Sequence, residues 1–300
     1  MKYNWSIIGH KNQLLRIEDD IRSGNLSHAY LLAGPNSVGK HTVSKKMAGI
    51  LQCENDFCHK CKTCIQVQNN SHIDTVVMRG RNTSIKIEDV RKVVERTNMT
   101  KQSPYKLFLI QSIERMTKEA ANSFLKILEE PPSGTIFILT TNNIRAVLPT
   151  IISRVRTIKF GVVSATYLES KLKELYPDQE EETIKTAALF SLGKTGRALH
   201  LMENPDSLSS YYAVYRKIQN FLSSDNIVDR FSYTEELLED KKNLDVFFSI
   251  LTNVLRSKIL EGDKETFRHI NTLSKLQEAG ILLKQNVNGR LVLENLMLQI

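Results

Sequence analysis

Short, almost uninterrupted hydrophobic runs alternate with amphipathic, charged stretches in the first half of the chain. Four of these runs are predicted to be buried strands: AYLLAG (29–34), DTVVMRG (74–80), KLFLIQS (106–112) and TIFILTT (135–141). Such continuous apolar character is typical of parallel strands that helices cover on both faces. The pattern therefore predicts an α/β fold with a parallel sheet.

Two helices are predicted between the strands, with the sequences IKIEDVRKVVERTNM and TKEAANSFLKILEE. In the second, Ala121, Phe124, Leu125 and Leu128 share one face, and Pro131 then ends the helix. Beyond Phe160 the strand signal disappears, and segments such as YLESKLKELY, EETIKTAALFSL, DVFFSILTNVLRSKILEG and TLSKLQEAGILLKQ have helical spacing. We expect three domains, over residues 1–162, 163–204 and 205–300.

Composition and charge narrow the class of protein only a little. The 300 residues are 41% hydrophobic and 25% charged, which is ordinary for a globular protein. A net charge of +8 favours contact with nucleic acid or another acidic partner, although a solvated lysine-rich surface gives the same charge. Because no apolar run is long enough to span a bilayer and the first residues lack a secretory pattern, we expect a cytoplasmic protein without a membrane partner.

A phosphate-binding loop is predicted in the segment GPNSVGKHT, between the first strand and a helix. Gly34, Gly39 and Lys40 fit the spacing G-x-x-x-x-G-K, in which backbone N–H groups surround phosphates and the lysine reaches the terminal ones. A glycine-rich turn with a surface lysine is the alternative. His41 departs from the pattern, since this position normally carries a hydroxyl that binds magnesium. Thr42 follows one residue later and is expected to point elsewhere on the helix.

The acidic pair that a hydrolysing P-loop ATPase needs at the end of a later strand is degenerate. Gln111 and Ser112 stand at these positions; neither carries a charge, and a serine without a partner is no general base at neutral pH. Glu114 follows shortly afterwards and is expected in the loop. Together with His41, these residues predict that the chain does not hydrolyse ATP itself, while ATP binding stays possible.

All four cysteines, Cys53, Cys58, Cys61 and Cys64, lie in one segment with the spacing C-x4-C-x2-C-x2-C. In a reducing compartment such a cluster indicates a metal site and not disulfides. Four thiolates close a tetrahedral zinc site and leave no position open for water, so we predict structural Zn2+. Four reduced, buried cysteines are the alternative.

The order of SHAYLLAGP, the P-loop, the cysteine segment, ANSFLKILEEPP and LPTIISRV resembles the clamp-loader subunits of bacterial DNA polymerase III, which are AAA+ proteins. The delta-prime type matches best, over roughly residues 5–200. The resemblance implies an AAA+ P-loop domain over 1–162, a helical lid over 163–204 and an all-α collar over 205–300. It also implies the gamma/tau and delta subunits as partners, with the sliding clamp and primed DNA reached through the complex.

The same resemblance implies roles for individual residues. Arg154, in the sequence SRV, is similar to an arginine finger that acts on the ATP of a neighbouring subunit, because a guanidinium is always charged and can stabilise phosphoryl transfer in trans. A surface arginine in an ordinary salt bridge is the alternative. Thr140, Thr141 and Asn142 resemble sensor 1, and Arg197 resembles sensor 2. Ordinary hydrogen bonding at a strand end or a helix start would explain these four equally well.

The function implied is that of a delta-prime-like subunit, which helps to load the sliding clamp during replication without hydrolysing ATP itself. The first alternative is a hydrolysing ATPase, either gamma/tau-like or autonomous. The second makes the cysteine segment a nucleic-acid reader, but between its cysteines the segment has a single Phe, Tyr or Trp residue, Phe57, and so gives little support to that role.

Overall fold

The computed structural model describes residues 2–78, 84–223, 226–285 and 287–300. The chain forms two compact units. The first consists of Met1–Lys171 together with Gly193–Arg197, and the second of Leu172–Leu192 together with Ala198–Ile300.

Five parallel strands form the sheet of the first unit: β1 (Ala29–Ala33), β2 (Thr75–Met78), β3 (Lys106–Ile110), β4 (Thr135–Thr141) and β5 (Arg156–Lys159). Their order across the sheet is β2-β3-β4-β1-β5. The four predicted strands are present, and the second is described as far as Met78, since residues 79 and 80 of the predicted run lie outside the described residues. The short strand β5 was not predicted; of its four residues only Ile158 is buried.

The helices of the first unit up to β5 are α1 (Lys11–Arg22), α2 (Lys40–Gln52), α3 (Lys62–Gln68), α4 (Ile87–Thr97), α5 (Lys118–Glu129) and α6 (Pro149–Ile152). Helix α5 shows how sequence sets the limits of such an element. The Thr117 side chain accepts a hydrogen bond from the Ala120 N–H and so caps its first turn. The helix ends at Glu129, shortly before the two prolines that cannot continue it.

Side chains from both faces of the sheet form the core of the first unit. Every residue of β1, β3 and β4 is buried, and alternate residues project to opposite faces. Tyr30 and Leu32 join one hydrophobic cluster with α1 and α2, whereas Leu31 joins the other with α4 and α5. In the second cluster, the ring of Phe124 meets that of Phe137 edge to face, with 5.3 Å between centroids. Burial on both faces explains why these strands are continuously apolar.

Beyond β5 the chain is helical: α7 (Ala165–Leu175), α8 (Glu181–Phe190), α9 (Thr195–Glu203), α10 (Pro205–Ser223), α11 (Ile227–Glu239), α12 (Lys241–Leu260), α13 (Thr266–Leu282) and α14 (Gly289–Met297). In the second unit, the buried Arg230 of α11 donates hydrogen bonds to the carbonyl oxygens of Phe221 at 2.5 Å and Met297 at 3.2 Å. The guanidinium thus satisfies carbonyl groups at the carboxyl ends of α10 and α14, which have no partner within their own helices.

The observed architecture confirms the predicted fold class, an α/β domain with a parallel sheet followed by a helical region. Across the described ranges, no helix combines the length and the apolar character needed to cross a membrane.

Candidate nucleotide and metal sites

The segment between β1 and α2 forms a loop whose glycines are needed for different reasons. At Gly34 a Cβ atom would lie 2.0 Å from the carbonyl oxygen of Phe160, which follows β5, so no larger residue fits. Gly39 has φ of +96°, a left-handed conformation that favours glycine, and it caps the start of α2. The loop therefore has a backbone shape that only this glycine spacing permits.

A cavity of about 270 Å3 lies beside this loop and the first turn of α2. It is lined by Asn36, Ser37, Gly39, Lys40, His41, Thr42, Gln111, Ser112, Thr140, Asn142 and Gly196. Ligand pockets usually have volumes of about 300–1,000 Å3, so this cavity suits a chain of phosphate groups better than a whole nucleotide. The free N–H groups and positive potential at the start of a helix favour anions at such a place.

Lys40 is the buried cation of the cavity wall. Its Nζ atom donates hydrogen bonds to the carbonyl oxygens of Gly34 at 2.7 Å and Pro35 at 2.5 Å, and to Oδ1 of Asn142 at 3.0 Å. Burial lowers the pKa of Lys40 to about 8, although the carboxylate of Glu114 acts in the opposite direction. The ammonium group is thus held at the loop that is predicted to bind phosphate, with a pKa close to neutral pH.

His41 and Gln111 contact each other across the cavity. The Nε2 atom of Gln111 lies 2.7 Å from Nδ1 of His41 and 3.3 Å from its Nε2. A hydrolysing P-loop ATPase has a hydroxyl and a carboxylate at these positions to organise magnesium. Here an imidazole and an amide take their place, and the neighbouring Ser112 donates its backbone N–H to Oγ1 of Thr140 at 3.2 Å.

Glu114 lies nearer to this site than the sequence suggested. It belongs to a short 3-10 helix (Ile113–Arg115) that follows β3 and turns its carboxylate back towards the end of β4. The Oε1 atom accepts hydrogen bonds from the backbone N–H and the Nδ2 atom of Asn142, both at 3.3 Å. Asn142 thereby connects Glu114 to Lys40. In the sequence, Glu114 was recognisable only as an acidic residue soon after Gln111. Because it was expected to lie in the loop beyond the strand, no role was predicted for it.

The residues predicted to resemble sensor 1 divide between two environments. Thr140 and Asn142 line the cavity, whereas Thr141 is fully buried and its Oγ1 accepts a hydrogen bond from Asn143 N–H at 3.1 Å. Successive side chains of a strand point to opposite faces, so one of two adjacent threonines has to turn away. Of the three, Thr141 is the one that the structure does not bring to the cavity.

The segment around Arg197 holds the P-loop through one backbone and one side-chain hydrogen bond. Gly196 donates its N–H to the carbonyl oxygen of Ser37 at 2.8 Å, and Thr195 Oγ1 donates to that of Val38 at 3.2 Å. Gly196 lines the cavity, but Arg197 does not, and in the described part of the chain Nη1 of Arg197 is buried without a hydrogen-bond partner. The predicted sensor 2 residue thus lies one position beyond the cavity wall.

His10 supports the same loop and was not singled out from the sequence. Its Nε2 atom lies 3.1 Å from the carbonyl oxygen of Val38, and its ring packs against Phe160 with 4.9 Å between centroids. Burial lowers the pKa of His10 more than its hydrogen bond to Val38 raises it. A histidine some 28 residues before its partner carries no local sequence signal, so only the fold reveals this contact.

Arg154 lies outside the cavity of its own P-loop. It follows α6, and its Nη2 atom forms a 2.8 Å ion pair with Oε1 of Glu129 at the end of α5. Its Nη1 atom donates to the carbonyl oxygen of Thr150 at 3.0 Å. More than a third of its side chain is exposed, at 37%. The guanidinium is therefore held in a defined position on an accessible surface.

The four predicted cysteine ligands come together in one cluster. Cys53 follows the last residue of α2, Cys61 caps α3, and Cys64 lies within α3. The Sγ atom of Cys53 is 3.9 Å from that of Cys58 and 3.8 Å from that of Cys61, and all four sulfurs lie within 4.8 Å of one another. A tetrahedron with Zn–S bonds of about 2.3 Å has sulfur–sulfur edges of about 3.8 Å. The spacing therefore fits a tetrahedral metal ion.

Local backbone groups favour the thiolate form of Cys58 and Cys53, whereas burial raises the pKa of Cys64. The N–H groups of Lys60 and Cys61 lower the pKa of Cys58 to about 6. Asn55 N–H donates to Sγ of Cys53 at 3.4 Å. Metal ligands of this type have to be deprotonated, so these donors suit the cluster to a metal ion.

Comparison with known proteins places this arrangement in a class and then in a family. A parallel sheet of order β2-β3-β4-β1-β5 with a P-loop after β1, followed along the chain by a helical region, is the fold of an AAA+ protein. Residues 9–164, just over half of the chain, match the family described as DNA polymerase III, delta subunit. The chain belongs to this family, and the predicted resemblance to DNA polymerase III clamp-loader subunits is confirmed.

Individual relatives are named as subunits of DNA polymerase III or as proteins related to them. The chain is 26% identical to DNA polymerase III subunit delta' of Bacillus subtilis over an alignment of 310 positions, which covers 94% of this chain and 93% of that subunit. It is 27% identical to the gamma subunit of Buchnera aphidicola subsp. Acyrthosiphon pisum over 74% of this chain, but spans only 63% of that subunit. The crystal structure of a gamma subunit-related protein from Thermotoga maritima has the same fold, with a TM-score of 0.55, 21% identity and coverage of 94% and 97% of the two chains.

Substitution of Gly49 tests how closely the cysteine segment packs against α2. A Cβ atom at Gly49 would lie 2.3 Å from the ring of Phe57, which is buried inside the segment. We expect Gly49→Ala to lower the free energy of unfolding, because overpacking costs about 1–3 kcal/mol and the gain in helix propensity is about 1 kcal/mol. Chemical denaturation measures the change. Gly161→Ala is the control, since nothing lies within 4 Å of its added Cβ; equal stabilities of both variants would contradict the packing.

We expect any binding of phosphate at the cavity to depend on pH, because burial lowers the pKa of Lys40. As the pH rises from 7 to 9, a lysine with a pKa of about 8 loses its charge, so we expect the affinity for ATP to fall by up to about tenfold. Equilibrium titrations with ATP at several pH values measure this. Lys40→Arg should flatten the profile, because a guanidinium stays charged throughout this range. An affinity of the unaltered chain that is the same at pH 7 and pH 9 would contradict the assignment.

Proposed function

We propose that this chain is a delta-prime-like subunit of the DNA polymerase III clamp loader, which does not hydrolyse ATP itself and supplies Arg154 to the ATP site of a neighbouring subunit. The observation that carries the proposal is the contact between His41 and Gln111 at 2.7 Å. These residues stand where a hydrolysing site has its magnesium-binding hydroxyl and acid. A P-loop with a phosphate-sized cavity is kept, but the groups that would organise hydrolysis are replaced.

The extent of the similarity supports the delta-prime type over gamma/tau. The match to the delta' subunit of Bacillus subtilis runs through nearly the whole of both proteins, whereas the chain spans 63% of the gamma subunit from Buchnera. In this proposal the chain works in the cytoplasm with gamma/tau and delta subunits, and through them with the sliding clamp and primed DNA. Residues 163–204 act as the lid and residues 205–300 as the collar of the assembly.

The position of Arg154 suits action in trans. Its side chain is partly exposed, and Glu129 and the Thr150 carbonyl orient it without drawing it into the cavity of its own P-loop. A guanidinium on an accessible surface can approach phosphates bound by another subunit and stabilise the negative charge that develops there. The ion pair with Glu129 keeps the group in one orientation until such a partner is present.

Zinc in the cysteine cluster has a structural role in this proposal. The four sulfur atoms would complete the coordination of the ion, so no position is left for water or a substrate. The cluster joins the end of α2 to α3, and α2 begins at the P-loop. The ion would therefore stabilise the helix that carries Lys40 and His41.

Arg154→Ala tests the role in trans. In a clamp loader assembled with its other subunits, we expect DNA-dependent ATP hydrolysis at the site next to this chain to fall by at least about tenfold, since arginine fingers contribute about 10³–10⁵ to the rate. The control is Arg145→Ala, which removes another exposed arginine of the same region. Unchanged hydrolysis by the Arg154 variant would reject the finger. Magnesium-dependent turnover by the isolated chain, lost in Lys40→Ala, would instead support an autonomous ATPase.

Metal analysis tests the cysteine cluster. We expect one zinc ion per chain, and loss of the ion in Cys61→Ser together with a fall in Tm of at least about 5 °C. His59→Ala is the matched control, because it alters the same segment without removing a sulfur. Full zinc content in the serine variant, or an unaltered Tm after loss of the metal, would contradict a structural zinc site. If the zinc-free chain stays folded, an unchanged affinity for DNA would also reject the alternative that the cysteine segment recognises nucleic acid.

A further inference from the structure

We propose that the P-loop cavity binds the phosphate chain of a nucleoside di- or triphosphate without a divalent metal ion, because the His41 imidazole and the Gln111 amide occupy the place where the metal ligands would lie. The inference rests on the proposed absence of hydrolysis and goes beyond it, since it concerns how the ligand is held.

The His41–Gln111 pair is fixed from two elements. His41 is the second residue of α2, and Gln111 directly follows β3, where its backbone N–H donates to the Met78 carbonyl oxygen at 3.0 Å. Their side chains approach within 2.7 Å. The amide oxygen and nitrogen of Gln111 can exchange places by rotation of the side chain. In either orientation, the amide atom that faces the ring contacts the imidazole and not a cation. A magnesium ion would have to displace this contact and accept an imidazole neighbour, although it prefers oxygen ligands in strict octahedral geometry.

No carboxylate among the described cavity residues replaces the oxygen ligands that a magnesium ion would need. Among the described residues that line the cavity there is neither an aspartate nor a glutamate. The nearest acid on the same connection, Glu114, is turned to Asn142, whose backbone N–H and Nδ2 atom both donate to its Oε1 at 3.3 Å. Asn142 in turn bonds Nζ of Lys40 at 3.0 Å. Glu114 thus holds Asn142 in place, and through it Lys40, and does not face the cavity as a metal ligand.

The donors that remain are sufficient for phosphate. The first N–H groups of α2 have no partner within the helix and point along its axis, and Lys40 adds a full positive charge at the same end. The Nζ atom of Lys40 is bonded to two carbonyl oxygens of the loop, those of Gly34 and Pro35. A phosphate oxygen is a stronger acceptor than a neutral carbonyl oxygen, because the bond is charge-assisted at both ends. These groups can donate hydrogen bonds to phosphate oxygens without a metal ion.

The test measures the affinity of the full chain for ATP and ADP in buffer freed of divalent ions by a chelating resin, with and without added magnesium. A soluble chelator is avoided, since it would also remove metal from the cysteine cluster. We expect the Kd to differ by less than about threefold between the two conditions, and Lys40→Ala to abolish binding in both. Magnesium that tightens binding tenfold or more in the unaltered chain would overturn the proposal.

The double variant His41→Thr, Gln111→Asp restores a hydroxyl and a carboxylate and serves as the matched comparison. We expect magnesium to tighten its binding of ATP at least tenfold, with folding checked by Tm. If that variant fails to fold, the affinities of the unaltered chain with and without magnesium still show whether its nucleotide binding needs the metal ion. Absence of any nucleotide binding would also overturn the inference, but would leave the finger role of Arg154, which is measured in the assembled complex, unaffected.

Discussion

The pairing of β1 between β4 and β5 is the constraint on which the site depends. The N–H of Phe160 donates to the carbonyl oxygen of Ala33 at 2.7 Å, and the N–H of Gly34 donates to that of Thr141 at 3.2 Å. These bonds fix the direction in which the chain leaves β1. Because all five strands are parallel, the carboxyl ends of β1, β3 and β4 lie at one edge of the sheet. Lys40, Gln111 and Asn142, which come from distant parts of the sequence, meet there.

The electrostatic balance at this edge differs from that of a hydrolysing site. The buried ammonium of Lys40 has a lowered pKa of about 8, and Glu114, the acid that partly offsets its burial, reaches the region through Asn142. At the positions where carboxylate charge would normally balance a metal ion, the chain has an amide and a hydroxyl. The cavity is therefore equipped for anions and poorly equipped for cations, which is the physical basis of the proposed function.

Helix α2 connects this cavity to the cysteine cluster. It begins at Lys40 and ends next to Cys53, so the P-loop and the cluster lie at its two ends. Gly49, in the last turn of the helix, leaves the space that the Phe57 ring of the cysteine segment fills. A metal ion at the cluster would hold this end of the helix to α3. The cluster can thus influence the P-loop through a rigid element without contacting it.

The sequence by itself determined the parallel α/β sheet, the P-loop and the cysteine cluster, because each depends on periodicity or on spacing within a short segment. It did not reveal β5, which has only one buried residue among its four and acquires strand geometry by pairing with β1. Nor did it show that Thr140 and not Thr141 lines the cavity, or that Glu114 and His10 support the loop. These features depend on strand register and on contacts between residues far apart in the chain, which only the tertiary structure decides.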